Sequence, residues 1–503
     1  IKGMSRTVKV ILSIFLVTCS AWAQANLPEG SDQYKVTFAT ANLDKINVKA
    51  ILTLEDSLLY MSQFGPLPER WPEFIRNIKV TDKNGDEIPV SWREDGKGWV
   101  LQDFQVGQTV YLNYDMILEH ETLDWPGGID GVAYKREWGI MATGRSLFIM
   151  NGQLKQKIKV SFSKPESWKV SVPWQTQGVA EDTYSVPDLM ELQESFLFAG
   201  SHEEVIIQRD GFTLVFVLGG EKVRGEASRF THVASGVMDY YISLMGGIPK
   251  GGGPGKGLKR SLVIISQSEL VDGEVIGNHL SMFMNPDGSP MDQMMGWFMF
   301  AHEFFHLWNG KTLRFTDTTT DWFKEGISNY YTIKALKQTG FINEDVVLGM
   351  MNNLFYQRYI QDPGYGSLSP SRAASGFDKD NHWGLVYGGG LFAGIAMDME
   401  IRHRTGNANS LDDLMRELYT QYGQSDKLIV QEDIFKTASR LGATDFTGFM
   451  QEHILGPLPI SLRPYLKYAG ISVDTKGEQL ELTHISEKSE LQSSIWEGFL
   501  GGN

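Results

Sequence analysis

The chain has 503 residues, of which 42% are hydrophobic and 12% aromatic, which is enough for about three domains with substantial cores. This composition excludes a disordered or a fibrous protein. The formal net charge of −15 argues against nucleic acid or an anionic membrane as a partner, because both are themselves negatively charged.

The first residues predict a segment that directs export. Arg6 and Lys9 form a short basic region, residues 10–18 form an apolar region, and small residues at positions 21 and 23 form a cleavage site. The apolar region is too short to span a bilayer comfortably. We therefore expect a signal peptide over residues 1–23, cleavage after Ala23, and a periplasmic or secreted protein without a membrane span.

Cys19 is the only cysteine of the chain and lies inside this signal. A lipoprotein with an acylated Cys19 is the weaker alternative, because Thr18 is a poor residue before such a cysteine. Removal of residues 1–23 leaves no thiol for disulfides or for zinc binding. It also removes three basic residues, which brings the net charge to −18.

Residues 24–222 predict an N-terminal β domain. Apolar residues alternate with polar ones over residues 34–38, 110–114 and 158–162, as they do in half-buried strands. Helical periodicity is scarce in this part of the chain. We therefore expect a β-sandwich-like fold here.

The pattern changes to helix near Glu226. Apolar residues recur at steps of three and four from Phe230 to Leu244, and Gly246 can end this helix. We place a domain boundary near residue 222 and expect the second domain over residues 223–460.

A later helix carries the strongest functional signal. It is predicted to begin with Ser289 as N-cap, Pro290 as its first residue and Asp292 in its first turn. It then carries His302 and His306 in an HExxH pattern. Residues four apart lie on one face of a helix, so both imidazoles can point at one ion.

Glu303 projects beside the two histidines, where a general base can take a proton from a water in the site. A catalytic zinc site also needs a third protein ligand and an open position. Glu325 is the best candidate, because the eighteen residues after His306 allow a polar loop and a second helix from near Asp321. The predicted set is one Zn2+ per chain, held by His302, His306 and Glu325.

Two alternatives to a catalytic metal site are open. In the first, both histidines are core residues bonded to backbone carbonyls, and Glu303 is in an ion pair. In the second, the zinc site is purely structural, although such sites usually close with four protein ligands. The surroundings of the histidines are almost wholly apolar, so these polar groups need partners, and a metal would supply them.

The segments HEFFHLWN and DWFKEGISNYY, which begin at His302 and Asp321, resemble the glycyl aminopeptidase family of zinc metallopeptidases. That family belongs to the gluzincin clan, with the alanyl-type aminopeptidases and thermolysin as relatives. The resemblance implies a thermolysin-like, mostly helical catalytic domain, the zinc ligands His302, His306 and Glu325, and Glu303 as the catalytic base. It also implies an aminopeptidase that favours small N-terminal residues such as Gly or Ala.

In that family, a strand beside the cleft carries Gly-Gly-x-Glu-His, whose Glu is expected to hold the free amine of the substrate. His279 can be matched to this pattern, but Asn278 stands where the Glu would be. Glu274 and Asp272 are nearby acids that can replace it. If neither does, amine selectivity is lost and the chain is a zinc endopeptidase.

Tyr387 precedes a run of glycines and an apolar helix, where the family has a Tyr before a Gly. By this resemblance, Tyr387 donates a hydrogen bond to the oxyanion that forms during hydrolysis. The alternative is a buried hydroxyl that bonds a structural neighbour.

Residues 409–455 predict further helices, with Ser410 and Asp413 as an N-capping signature. Residues 461–503 become strand-like and form a short C-terminal β appendage. A partial PDZ domain is one interpretation of this appendage, because the family commonly continues into such a domain.

The chain is thus predicted to be a multi-domain α+β protein and an exported zinc metallopeptidase that acts on peptides. A non-catalytic peptide-binding module on a peptidase scaffold is a further alternative. The presence of Glu303 argues against it, because metal binding alone does not need that residue.

Overall fold

The computed structural model describes residues 31–176, 182–251, 257–376 and 378–500. The predicted signal peptide over residues 1–23 lies outside the described residues. The described residues form two compact units whose segments alternate along the sequence.

The strands are β1 (Gln33–Thr37), β2 (Lys45–Thr53), β3 (Leu58–Tyr60), β4 (Ile75–Thr81), β5 (Val90–Trp92), β6 (Gly98–Leu101), β7 (Thr109–Ile117), β8 (Ala133–Arg136), β9 (Gly139–Thr143), β10 (Gln156–Ser163), β11 (Lys169–Ser171), β12 (Gln175–Thr176), β13 (Thr183–Asp188), β14 (Phe196–Gly200), β15 (Glu203–Arg209), β16 (Phe212–Gly219), β17 (Arg260–Gln267), β18 (Asp272–Ile276), β19 (His279–Met284), β20 (Ile471–Lys476) and β21 (Gln479–His484).

The α-helices are α1 (Gly144–Leu147), α2 (Leu189–Gln193), α3 (Glu221–Gly225), α4 (Ala227–Met245), α5 (Pro290–Phe305), α6 (Asp321–Gln338), α7 (Glu344–Met350), α8 (Gln357–Ile360), α9 (Pro370–Ala373), α10 (Gly389–Arg404), α11 (Leu411–Tyr422), α12 (Gln431–Gly442), α13 (Thr447–Phe449), α14 (Arg463–Leu466) and α15 (Glu490–Phe499). Shorter helical turns include Ile129–Gly131 and Lys379–His382, both 3₁₀, and Gly384–Gly388, which is π-helical.

The first unit is built mainly of strands and comprises the described residues up to Leu118, with Arg145–Pro165 and Trp174–Gln193. Its larger sheet has seven strands in the order β12-β13-β10-β1-β2-β7-β4, and its smaller sheet has three in the order β3-β6-β5. Alternate residues of β2 are buried, because the side chains of a strand point to opposite faces in turn. The predicted β-rich character of the N-terminal part is confirmed.

The second unit comprises Glu119–Gly144, Glu166–Pro173 and the described residues from Glu194 onward. It has a five-stranded sheet in the order β15-β16-β17-β19-β18 and a four-stranded sheet in the order β11-β14-β9-β8. Strands β16, β17 and β19 run parallel and are almost entirely buried, as is usual for parallel strands covered on both faces. Strand β18 is the antiparallel edge strand and lies beside α5.

Helix α5 begins as its sequence predicts. The hydroxyl of Ser289 accepts the Asp292 backbone N–H at 3.2 Å, and the Asp292 carboxylate accepts the Ser289 N–H at 2.8 Å. The body of the helix buries Trp297, Phe300 and Phe304. Each such aromatic side chain contributes about 1.5–3 kcal/mol on burial, so packing rather than helix propensity holds α5 in place.

Helices α6 and α10 cross at two glycines whose backbones touch. A Cβ on Gly326 would lie 2.2 Å from the carbonyl carbon of Gly390, and one on Gly390 would lie 2.0 Å from the carbonyl oxygen of Trp322. No residue with a side chain fits this contact without moving a helix. Glu325 immediately precedes Gly326, and Tyr387 lies three residues before Gly390, so the crossing fixes both predicted site residues.

The C-terminal part of the chain is mostly helical and contains a small strand pair, as predicted. Strands β20 and β21 form an antiparallel hairpin. Helix α15 follows the hairpin, and the prediction of a β appendage did not include this helix. The partial PDZ domain and the domain boundaries near residues 222 and 460 stay predictions. Among the described residues, no helix combines the length and apolar character needed to cross a bilayer.

Candidate metal centre and substrate cleft

Helices α5 and α6 bring together three side chains that can hold a metal ion. His302 lies in the last turn of α5, His306 caps its end, and Glu325 lies near the start of α6. Glu325 Oε2 is 3.3 Å from His302 Nε2 and 3.1 Å from His306 Nε2, and the two nitrogens are 3.1 Å apart. All three residues are buried. Within the described ranges, this is the one cluster of three His, Cys, Asp or Glu residues with ligand atoms so close.

One hydrogen bond indicates which ring nitrogen of His306 carries the hydrogen. Its Nδ1 lies 3.0 Å from the carbonyl oxygen of Asn309, and a carbonyl only accepts, so Nδ1 carries the hydrogen. In the neutral ring, Nε2 then presents its lone pair to Glu325 and His302. Lone pairs that converge in this way suit a cation, and two imidazoles with one carboxylate are a zinc donor set.

Two lysines engage the other oxygen of Glu325. Lys379 Nζ donates to Oε1 at 2.8 Å, and Lys324 Nζ lies 3.6 Å from the same atom. Burial acts to raise the pKa of Glu325, but Lys379, His306 and Lys324 outweigh it and hold this pKa well below its ordinary value. The carboxylate is therefore ionised, and its Oε2 is directed at the histidines.

Glu303 lies on α5 beside these ligands and lines the same cleft. Burial raises the pKa of Glu303 to about 8, and the charges of Glu325 and Glu274 act in the same direction, while His306 opposes them. A divalent cation close by favours the ionised carboxylate, which is the form that a general base needs.

The ligands and Glu303 open into a cleft of about 650 Å³, a size that suits a small ligand. Tyr387 also lines this cleft. Its ring lies 6.2 Å from the His302 ring and stacks on Trp383 at 5.2 Å. Tyr387 belongs to the π-helical turn that leads into α10, and such turns are frequent at functional sites. The structure thus brings Tyr387 close to the three ligands.

A different part of the cleft lining is acidic. Asp272 and Glu274 lie on the edge strand β18, and their side chains reach a loop that contains Gly127 and Gly128. A Cβ on Gly127 would lie 2.8 Å from Glu274 Oε2, and one on Gly128 would lie 2.4 Å from Asp272 Oδ2. Both glycines have φ values near +85°, so the loop needs glycine for its conformation as well as for this close approach.

The same loop supplies Asp130, which no sequence pattern indicated. Asp130 is fully buried, and neither carboxyl oxygen has a hydrogen-bond partner in the part of the chain that the structure describes. Burial, together with the charges of Asp272 and Glu274, raises the pKa of Asp130 well above its ordinary value. A positive charge placed among these three acids would therefore be strongly favoured.

The structure does not bring Asn278 and His279 to the cleft. Asn278 lies in the turn between β18 and β19, where its carbonyl oxygen accepts the hydroxyl of Ser261 at 2.6 Å. His279 is buried in β19, and its Nδ1 accepts the Leu262 N–H at 3.2 Å. Of the three predicted substrate-binding residues, Glu274 lines the cleft, whereas Asn278 and His279 do not, and the role of Glu274 stays a prediction.

Two family models match this chain. Residues 297–388 match the M61 glycyl aminopeptidase, and residues 67–201 match the peptidase M61 N-terminal domain. The chain belongs to the M61 glycyl aminopeptidase family. It is a zinc peptidase with aminopeptidase function, and its substrates are peptides. The resemblance that begins at His302 is confirmed.

A solved structure shares the fold of this M61 enzyme. An aminopeptidase N family protein from Idiomarina loihiensis superposes with a TM-score of 0.74 at 17% identity, over 88% of this chain and 79% of the other. An M1 zinc metallopeptidase from Deinococcus radiodurans gives a TM-score of 0.49 at 13% identity, over 82% of this chain and 91% of the other, which is too low to support an inference. None of the curated proteins compared with this chain matches it.

Three residues that line or border the cleft of this M61 enzyme were not found from its sequence: Asp130, Lys379 and Arg358. Each lies on a different element, far along the chain from the HExxH pattern, so no local spacing connects them to it. Gly127 and Gly128 offered a turn signal just before Asp130. A turn signal does not tell which strand lies opposite the turn, so the sequence did not show that Asp130 lies beside Asp272 and Glu274.

Proposed function

We propose that this M61 enzyme is an exported aminopeptidase that binds one zinc ion per chain and removes small N-terminal residues, such as Gly or Ala, from peptides. The proposal is supported by one observation, which is that two sets of side chains lie along the same cleft. The three candidate ligands and Glu303 form one group, and the acidic cluster around Glu274 forms the other.

His302, His306 and Glu325 would hold the zinc. When bound, zinc polarises the scissile carbonyl and makes a nearby water more acidic. Glu303 accepts the proton from the attacking water and later delivers it to the leaving amine. The Tyr387 hydroxyl donates a hydrogen bond to the substrate oxygen on which negative charge develops.

The acidic cluster supports the exopeptidase part of the proposal. A substrate ammonium gains more from a carboxylate in a partly buried cleft than it does in water. Glu274 and Asp272 supply this charge from β18, and the Asp130 carboxyl lies next to that of Asp272 on the facing loop. The match of residues 297–388 to the M61 glycyl aminopeptidase supports the preference for a small N-terminal residue.

Removing the charge of Glu274 should weaken amine selectivity. We expect Glu274→Gln to lower kcat/KM for a free-amine dipeptide by about 10- to 100-fold, because a hydrogen bond to a charged group contributes about 1.5–3 kcal/mol. Hydrolysis of the N-acetylated peptide should fall far less. The measurement is the ratio of the two kcat/KM values, and Asp272→Asn should change this ratio in the same direction.

Glu269→Gln is the matched control, since Glu269 is an exposed acid just before β18 and does not line the cleft. This variant should keep the wild-type ratio. If the wild type cleaves free-amine and N-acetylated peptides equally well, the aminopeptidase assignment fails and a zinc endopeptidase takes its place.

The proposed export predicts which residue is the first one of the mature protein. Residues 1–23 have the basic, apolar and small-residue order of a cleaved signal, although they lie outside the described residues. Mass spectrometry of the natural protein should find Gln24, or the pyroglutamate formed from it, as the first residue. A diacylated Cys19 at the N-terminus would contradict cleavage after Ala23 and would indicate a lipoprotein.

A further inference from the structure

Cationic side chains line another part of the same cleft: Lys311, Lys324, Lys379 and Arg358. Lys379 and Lys324 are both engaged by Glu325 and Asp321. Arg358 differs from them, because none of the described carboxylates forms an ion pair with it. An exposed guanidinium without an anionic partner, at the border of a substrate cleft, is available to bind an anion.

A stack of rings holds Arg358 in place. Its guanidinium carbon lies 4.8 Å from the centre of the Trp383 ring. Trp383 stacks on Tyr387 at 5.2 Å with the ring planes 4° apart, and Tyr387 lies 6.2 Å from the His302 ring. Stacking limits the motion of the arginine, so less conformational entropy is lost when it binds a ligand.

The distances match a short peptide. An extended residue spans about 3.3–3.6 Å. The distances from the Arg358 guanidinium through the Trp383 and Tyr387 rings to the His302 imidazole therefore correspond to a few residues at most. Apolar side chains line the cleft as well: Met295, Phe298, Met299 and Leu354. They suit apolar side chains of a bound peptide, while the charged groups suit its two ends.

We infer that the cleft binds short peptides by both ends, with the ammonium at the acidic cluster and the free C-terminal carboxylate at Arg358. The favoured substrates are then di- to tetrapeptides with an unmodified C-terminus. This inference rests on the proposed aminopeptidase function, because the same peptide must place its amine at Glu274. Arg358 suits a carboxylate well, since its planar fork can make two parallel hydrogen bonds to one.

The test compares Ala-Leu-Ala with Ala-Leu-Ala-amide on the zinc-loaded enzyme. We expect the wild type to prefer the free acid by about 10-fold or more in kcat/KM, as is typical of a charge-assisted hydrogen bond. Arg358→Gln should reduce this preference to about twofold or less, and Arg358→Lys should give an intermediate value. The ratio does not depend on the fraction of folded enzyme, so a loss of folded protein cannot produce this result.

Arg372→Gln is the control, because Arg372 is also exposed but does not line the cleft. It should keep the wild-type preference. A third peptide, Ala-Leu-Glu-amide, carries a side-chain carboxylate in place of the terminal one and should be cleaved like the plain amide. Cleavage of this peptide as fast as Ala-Leu-Ala would show that any carboxylate suffices and would overturn the requirement for a free C-terminus.

Two further results would overturn the inference. They are a wild type that treats acid and amide alike, and an Arg358→Gln variant that keeps the wild-type preference. Failure to cleave any of the three free-amine peptides would have a different meaning. It would contradict the proposed function itself, and the inference would fall with it.

Discussion

Glu303→Gln should leave zinc bound and abolish most peptide hydrolysis. Glu303 lines the cleft beside the three ligands but is not one of them, so the amide should not disturb the metal. Gln has nearly the same shape and cannot accept the proton of the attacking water. General-base catalysis contributes about 10²- to 10⁴-fold, and kcat should fall by this factor. Turnover of an alanyl dipeptide and the zinc content of the purified variant measure the two parts of the result.

The matched control is Glu432→Gln, an exposed glutamate in the first turn of α12, which should keep both zinc and turnover. Near-normal turnover in the Glu303→Gln protein would show that another group takes the proton. Loss of zinc from this variant would indicate that Glu303 contributes to metal binding. The assignment of Glu303 as a base that is not a ligand would then be wrong.

Glu325→Ala should weaken zinc binding more than any change outside the three ligands. It removes the one anionic ligand and leaves two imidazoles facing Lys379 and Lys324, whose positive charges then repel a cation. Loss of a residue that only supports a ligand costs about 10- to 100-fold in metal affinity, so loss of the ligand itself should exceed about 100-fold. Competition with a chromogenic chelator measures this affinity directly.

Glu325→Gln is the second variant of this pair. Its amide oxygen can still face the ion but carries no charge, so its zinc affinity should lie between those of the wild type and Glu325→Ala. Thermal unfolding of the metal-free proteins separates a loss of affinity from a loss of fold. Wild-type affinity in the Glu325→Ala variant would exclude Glu325 as a ligand and would leave the role of α6 open.

The metal centre could be predicted because its information is local. His302 and His306 are four residues apart on one helix, and Glu325 follows after a single loop. Helical periodicity and the capping residues of α5 were enough to place two of the ligands on one face. The third depended on a second helix starting near Asp321, which α6 does.

The acidic cluster could be predicted only in part, because Glu274 and Asp272 were candidates from the sequence but their pairing with the loop of Asp130 depends on tertiary structure. Matching a family pattern to the sequence pointed to Asn278 and His279, but these residues lie in and just after a turn. Side chains alternate between the two faces of a strand, so a small shift in the match changes which residues face the cleft. The contact of Glu274 with the loop around Gly128 follows only from the folded chain.

The first unit shows the same limit at the level of a sheet. Alternation predicted several of its strands, including β1 and β10. It could not predict that these two strands pair in parallel although more than 100 residues separate them, because the alternation of one strand carries no information about its partner. Arg358 and Lys379 were not predicted to line the cleft for the same reason, since each reaches it from a distant part of the chain.

The glycine contact between α6 and α10 has a consequence for how specificity can change among related enzymes. Gly326 and Gly390 hold the segment with Glu325 and the segment with Tyr387 at one separation. A substitution at either glycine would displace both Glu325 and Tyr387. Such a variant would therefore lose metal binding and the contribution of the tyrosine at the same time. The side chains of Asp272, Glu274 and Arg358 lie outside this crossing. New substrate preferences are therefore expected to arise at these three residues, while the crossing itself stays unchanged.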